Sequence, residues 1–72
     1  MEVFRQRLQQ LRTRKGLSRQ ALGELCGLSK NAIATYELDT RMPSAQSLIA
    51  LADFFNVSTD YLLGRDSYST RG

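Results

Sequence analysis

The sequence predicts an all-α domain of five short helices. Three observations carry that prediction. Apolar residues recur at the helical period of about 3.6 residues in three sets: Phe4, Leu8 and Leu11; Leu22, Leu25 and Cys26; Leu48, Leu51, Ala52 and Phe55. Four times a Ser stands behind an apolar or Pro residue and is followed four positions later by another apolar one. No stretch shows the alternation of apolar and polar residues, bounded by turn residues, that marks a strand.

Each element follows from local chemistry. Helix one is expected over about residues 2–14, with Gly16 suited to the left-handed position past its end. Helix two, about residues 19–26, starts at Leu17-Ser18 with Leu22 four residues after the Ser, and stops at Gly27. Helix three, about residues 30–37, starts the same way at Leu28-Ser29, with Ile33 as its partner. Helix four, about residues 45–55, begins behind Pro43-Ser44 with Leu48, because Pro43 has no place inside a helix. Helix five, about residues 59–63, opens at Val57-Ser58 with Leu62 and closes at Gly64. In every case the Ser hydroxyl accepts a hydrogen bond from a free N–H of the first turn. The apolar residues flanking it form a hydrophobic staple in the three starts that lack Pro. Residues 65–72 lack apolar periodicity and read as a flexible tail or the start of a linker, which leaves residues 1–64 as the folded domain.

Composition narrows the function. A chain of 72 residues allows one domain with a small core. It has no His and one Cys, so an internal disulfide and a structural zinc site are out and no metal site is expected. No Ser/His or Cys/His pairing, phosphate loop or dinucleotide fingerprint is present. The acids Glu2, Glu24, Glu37, Asp39, Asp53, Asp60 and Asp66 are scattered, so no catalytic residues and no cofactor are assigned. No apolar run approaches the roughly 18–20 residues of a membrane span, and Met1–Gln10 is too polar for a signal peptide. The chain reads as cytosolic and reduced. Residues 1–45 hold eight Lys+Arg against four acids, while residues 46–72 hold two against three. A field with its basic excess on one side suits a polyanion, although a net charge of +3 also serves solubility alone.

Helices two and three are joined by a tight turn through Gly27-Leu28-Ser29, the pattern of a helix-turn-helix. On helix three, advancing about 100° per residue from Lys30, the apolar Ala32, Ile33 and Tyr36 fall on one arc. Lys30, Asn31, Ala34 and Thr35 fall on the other. Asn can pair bidentately with adenine, Lys can reach guanine, and Thr or Ala can touch a thymine methyl. A solvated helix face has the same polar look, so this arc alone decides nothing.

The stretch GLSRQALGELCGLSKNAIATYE (Gly16–Glu37), followed by MPSAQSLIALADFFNVSTDYLLG (Met42–Gly64), resembles the Cro/C1-type (XRE-type) helix-turn-helix domain of phage and bacterial repressors. The resemblance runs from about Leu8 to Gly64 and implies a compact lambda-repressor-like domain of five helices. It implies sequence-specific binding of double-stranded DNA, as a transcriptional regulator and most often a repressor. It also implies a homodimer on a palindromic operator and a cytoplasmic, nucleoid-associated protein. By the same resemblance Lys30, Asn31 and Thr35 read bases, and Ala34 joins them by its place on the same arc. Arg19, Ser29 and Arg41 are expected at phosphates, and Thr40 and Ser44 are minor candidates because the start of helix four exposes N–H groups suited to an anion.

The sequence departs from the family pattern at three of these places. Arg19 replaces a usual Gln, so the expected bracing of that Gln against helix three is lost. Asp39 stands where Gly is usual, with Arg41 nearby to compensate. Gly23 replaces a small Ala, which allows close approach but weakens the helix by roughly 1 kcal/mol. Arg12 and Glu37 match a pair that forms a partly buried salt bridge in the family.

Of the remaining residues, Cys26 reads as a small buried hydrophobe rather than a redox sensor. Phe54 and Tyr61 are a candidate dimer face, expected as an exposed apolar patch near helix five. An alternative for the same fold is a protein-interaction adaptor, antitoxin-like or coactivator-like, which would use that apolar surface and bind DNA weakly.

Overall fold

The computed structural model describes residues 2–38 and 41–65. Five helices follow one another: α1 (Glu2–Arg14), α2 (Arg19–Cys26), α3 (Lys30–Glu37), α4 (Ala45–Phe55) and α5 (Thr59–Leu63). The fold is all-α, with no strand among the described residues. No described helix is long and apolar enough to cross a membrane.

The four later helices start at Ser18, Ser29, Ser44 and Ser58, each with extended backbone and a side chain that accepts from an N–H in the first turn. Gly16, Gly27 and Gly64 take positive φ past the ends of α1, α2 and α5. Asn56 does the same for α4 at φ 57°, a conformation its short polar side chain tolerates. Local chemistry therefore sets almost every boundary.

Packing joins α1 to α3 and α5, α2 to α3 and α4, and α4 to α5. Phe4, Leu8, Leu22, Ile33, Leu51 and Leu62 are fully buried at the centre, with Tyr36, Ala52 and Phe55 around them. Phe4 meets Tyr36 edge-on, with ring centroids 6.0 Å apart.

Leu25 departs from the expected stripe: it is 59% exposed. The reason lies at Gly23, which is buried. A Cβ added there would lie 2.7 Å from the Leu28 carbonyl oxygen and 3.0 Å from Ser29 backbone atoms. Helix α2 thus turns its Gly23 side to the turn before α3, and the Leu25 side rotates outward. A residue without a side chain leaves no mark in an apolar pattern, so spacing alone assigns Leu25 to the buried stripe. The Leu28 N–H donates to the Gly23 carbonyl at 2.6 Å and closes the turn.

The Gly23→Ala variant opposes two effects. Helix propensity favours Ala by roughly 1 kcal/mol, but the new methyl meets backbone rather than a flexible side-chain end. A net loss of about 1–3 kcal/mol is expected, read as a lower urea midpoint with an unchanged slope. Cys26 packs against the core, and burial raises its thiol pKa. At about pH 8 it then carries less thiolate than a free cysteine and reacts more slowly with a disulfide reagent. Urea unfolding should remove the difference, and a folded-state rate equal to free cysteine would contradict it.

Candidate nucleic-acid interface

The outer arc of α3 is built by the core beneath it. Ile33 and Tyr36 are buried and Ala32 packs against the core, so the opposite side faces solvent. Lys30 and Asn31 are exposed there, and Ala34 and Thr35 are half-buried. The Thr35 hydroxyl donates to the Ala32 carbonyl at 2.8 Å, which turns its proton back to the helix. Ser29 accepts from the Ala32 N–H at 3.0 Å as the helix cap.

Beside this arc lies a concavity of about 240 Å³ lined by Ser29, Asn31, Ala32, Thr35, Tyr36 and Arg41. It brings Asn31 and Thr35, expected to read bases, together with Ser29 and Arg41, expected to hold phosphates. Among the described residues no acid lines it. Lys30 and Ala34 are not among its lining residues. Ser44 stands apart as the cap of α4, where it accepts from the Ser47 N–H and donates to the Ser47 hydroxyl, both at 3.1 Å. Thr40, expected at a phosphate, and Asp39 lie outside the described residues, as does the tail beyond residue 65.

Behind the concavity, the last residue of α3 is an acid with only 4% of its surface exposed, Glu37. Arg12 of α1 approaches it with Nε 2.5 Å from Oε2 and Nη2 3.1 Å from Oε1. The same guanidinium donates through Nη1 to the Leu17 carbonyl at 2.8 Å. Arg19, the first residue of α2, adds a third bond, from Nε to Oε1 at 3.0 Å. The lost bracing expected at Arg19 is thereby corrected. Helix α2 is tied to α3 after all, through a carboxylate eighteen residues away, at a separation no helical period can register.

Phe54 and Tyr61 do not form the expected exposed patch. Both are half-buried. Phe54 packs edge-on against Phe55 at 5.0 Å, with the Lys15 ammonium 5.7 Å from its ring centre. Arg7 lies 4.2 Å over the Tyr61 ring and donates to the Tyr61 carbonyl. Among the described residues the large apolar side chains that are exposed are Val3, Leu25, Leu38, Met42 and Ile49. Arg7 of α1 and Lys15, just past its end, cover the two rings, a pairing that sequence spacing does not encode. Among the described residues no cluster of His, Cys, Asp and Glu forms that could hold a metal ion.

Comparison with known proteins places this geometry. A family model described as helix-turn-helix matches residues 8–62. The HTH-type transcriptional regulator ImmR of Bacillus subtilis is 37% identical over 65 residues, covering 90% of this chain and 51% of that protein. AnsR of the same organism, also an HTH-type transcriptional regulator, is 43% identical over 60 residues, covering 83% of this chain and 52% of its own length. The chain thus spans about half the length of these relatives. Among solved structures, the P22 c2 repressor in complex with a synthetic operator superposes with a TM-score of 0.84 at 30% identity, over 92% of this chain and all of that one.

Removing one partner of Glu37 tests its role. In Arg12→Ala the buried carboxylate keeps only Arg19, and the Leu17 carbonyl loses its donor. A loss of about 2–4 kcal/mol is expected, within reach of the penalty for breaking a buried pair. A thermal midpoint within a degree or two of the parent's would contradict it.

Proposed function

The chain belongs to the helix-turn-helix family, and we propose that it binds double-stranded DNA sequence-specifically as a transcriptional regulator. The observation that carries this reading is the outer face of α3, where Asn31 and Thr35 share one concavity with Arg41 and no acid lines it among the described residues. An α-helix fits the major groove, and the donors and acceptors it carries there distinguish base pairs. Lys30, Asn31, Ala34 and Thr35 are the base-reading set. The Thr35 hydroxyl proton is turned to its own helix, so the contact proposed for it is that of its methyl group with a thymine methyl. Arg19, Ser29, Arg41 and Ser44, with Thr40, are the phosphate set. These contacts fix register and supply most of the affinity.

We propose further that the regulator is a repressor acting as a homodimer on a palindromic operator, in the cytoplasm on the nucleoid. The likeness to a repressor bound to operator DNA supports this. The ends of α4 and α5 around Phe54 and Tyr61 are the proposed two-fold face. A regulator of this kind works by occupying DNA and needs neither a catalytic residue nor a cofactor. The adaptor alternative makes the opposite prediction, weak binding to every duplex.

The test is selection from a random duplex library at near-physiological salt. A palindrome with half-sites about 34 Å apart, one turn of DNA, is expected. Weak retention of all duplexes without enrichment would overturn sequence-specific binding. On the enriched duplex, Asn31→Ala should lose about 1–3 kcal/mol and relax base choice at one position per half-site. Equal loss on selected and random duplexes would remove Asn31 from the base-reading set.

A further inference from the structure

We infer that Glu37 is a positioning residue for DNA binding: it holds the Arg19 guanidinium by one edge and presents the rest to a backbone phosphate. The inference rests on the proposed DNA-binding reading and deepens it.

Three features of the cluster lead there. The first is the way the two arginines divide the carboxylate. Arg12 takes both oxygens, through Nε and Nη2, and uses Nη1 on Leu17. All three of its nitrogens are engaged within the fold. Arg19 is held through Nε alone. Its two Nη groups have no partner among the described residues and remain as donors in a planar fork that matches phosphate geometry.

The second is charge and depth. Two guanidiniums meet one carboxylate, so the cluster carries one surplus positive charge. The Glu37 side chain is 1% exposed and Arg12 13%, whereas Arg19 is 41% exposed. The negative member is therefore buried and already matched by Arg12. The cation left facing water is Arg19. A phosphate approaching α2 meets a net positive group, with Glu37 too deep to repel it.

The third is order. A long arginine on a surface samples many rotamers, and fixing one at binding opposes association. Arg19 begins α2 behind the Ser18 cap and is tethered at its far end to α3. Its guanidinium is fixed before any DNA arrives. The tether also gives its orientation a single reference, the same helix that carries Lys30, Asn31 and Thr35. Phosphate contact and base contact are then set in one frame.

The opposite role for Glu37, a competitor that withholds Arg19 from phosphate, makes a prediction of the other sign. The experiment is a salt titration of binding to two synthetic duplexes, one carrying the selected palindrome and one of random sequence. Arg19→Lys keeps the charge but cannot hold Glu37 and a phosphate with one planar fork. It should weaken both complexes about tenfold, as expected for loss of a hydrogen bond to a charged group, with the salt slope kept. Arg19→Ala should also flatten the slope by about one unit. In Glu37→Gln, with folding checked by circular dichroism, Arg19→Lys should cause little further loss, because the two residues act as a unit. Parent-like affinity of Arg19→Lys, or tighter binding by Glu37→Gln, overturns the proposal. If Glu37→Gln does not fold, Arg19→Lys decides alone, since a purely structural Arg19 would lower the thermal midpoint and leave affinity at saturation of folding unchanged. Failure of the parent chain to bind either duplex is a separate result, which overturns DNA binding itself and the proposal with it.

Discussion

One buried carboxylate links three of the five helices. Glu37 closes α3, Arg12 reaches it from α1, and Arg19 reaches it from the start of α2. Left alone, a carboxylate at that depth would be strongly destabilising, because water no longer solvates it. Two guanidiniums replace that water with directed bonds. The apolar core around Phe4, Leu8, Leu22 and Ile33 holds the helices together, but hydrophobic attraction has no direction. The carboxylate adds direction. It also fixes the loop between α1 and α2, since Arg12 holds the Leu17 carbonyl with the nitrogen it does not give to Glu37.

A second constraint acts between backbones. Gly23 lets α2 come within contact of the Leu28–Ser29 segment, and the Leu28 N–H bonds back to its carbonyl. Gly27 turns the chain at a φ of 73°. Ser29 then caps the next helix. The direction in which α3 leaves the turn is set within these seven residues, and the Glu37 cluster fixes its other end. Between the two anchors α3 spans eight residues, too few to bend, so its outer arc is held as a rigid unit. A helix this short would not be stable by propensity alone.

Features that depend on neighbouring residues were legible in the sequence. Helix boundaries were readable because Ser caps, Pro43 and the positive-φ glycines act within one turn of where they stand. The two arcs of α3 were readable because Ile33 and Tyr36 alternate with Lys30, Asn31, Ala34 and Thr35 over two turns. The features that escaped all depend on which helix lies opposite. Leu25 belongs to the apolar stripe by spacing but faces water because Gly23 sets the contact. Phe54 and Tyr61 looked like an open patch until Lys15 and Arg7 were placed over them. Arg19 looked like an untethered cation because its partner is on another helix. Asn56 carried a readable signal, an Asn just past an apolar run, that a search for glycines passes over.

The placement of the recognition residues separates stability from the proposed function, but only in part. Lys30 and Asn31 are exposed, so their exchange should change what is bound more than it changes folding. Glu37 belongs to both sides: it secures the fold, and it orients a cation beside the proposed groove-facing arc. Selection for a new binding sequence then has free choice at Lys30 and Asn31. Arg19 and Glu37 are coupled unequally: exchanging Glu37 alone leaves the part-buried Arg12 without its carboxylate and Arg19 without its tether, whereas exchanging Arg19 alone leaves Glu37 with Arg12. On the proposed reading, a variant of this domain with a different residue at position 19 needs its phosphate contact rebuilt by another route, and Gln, which is neutral and shorter, cannot inherit the same tether without adjustment of α2.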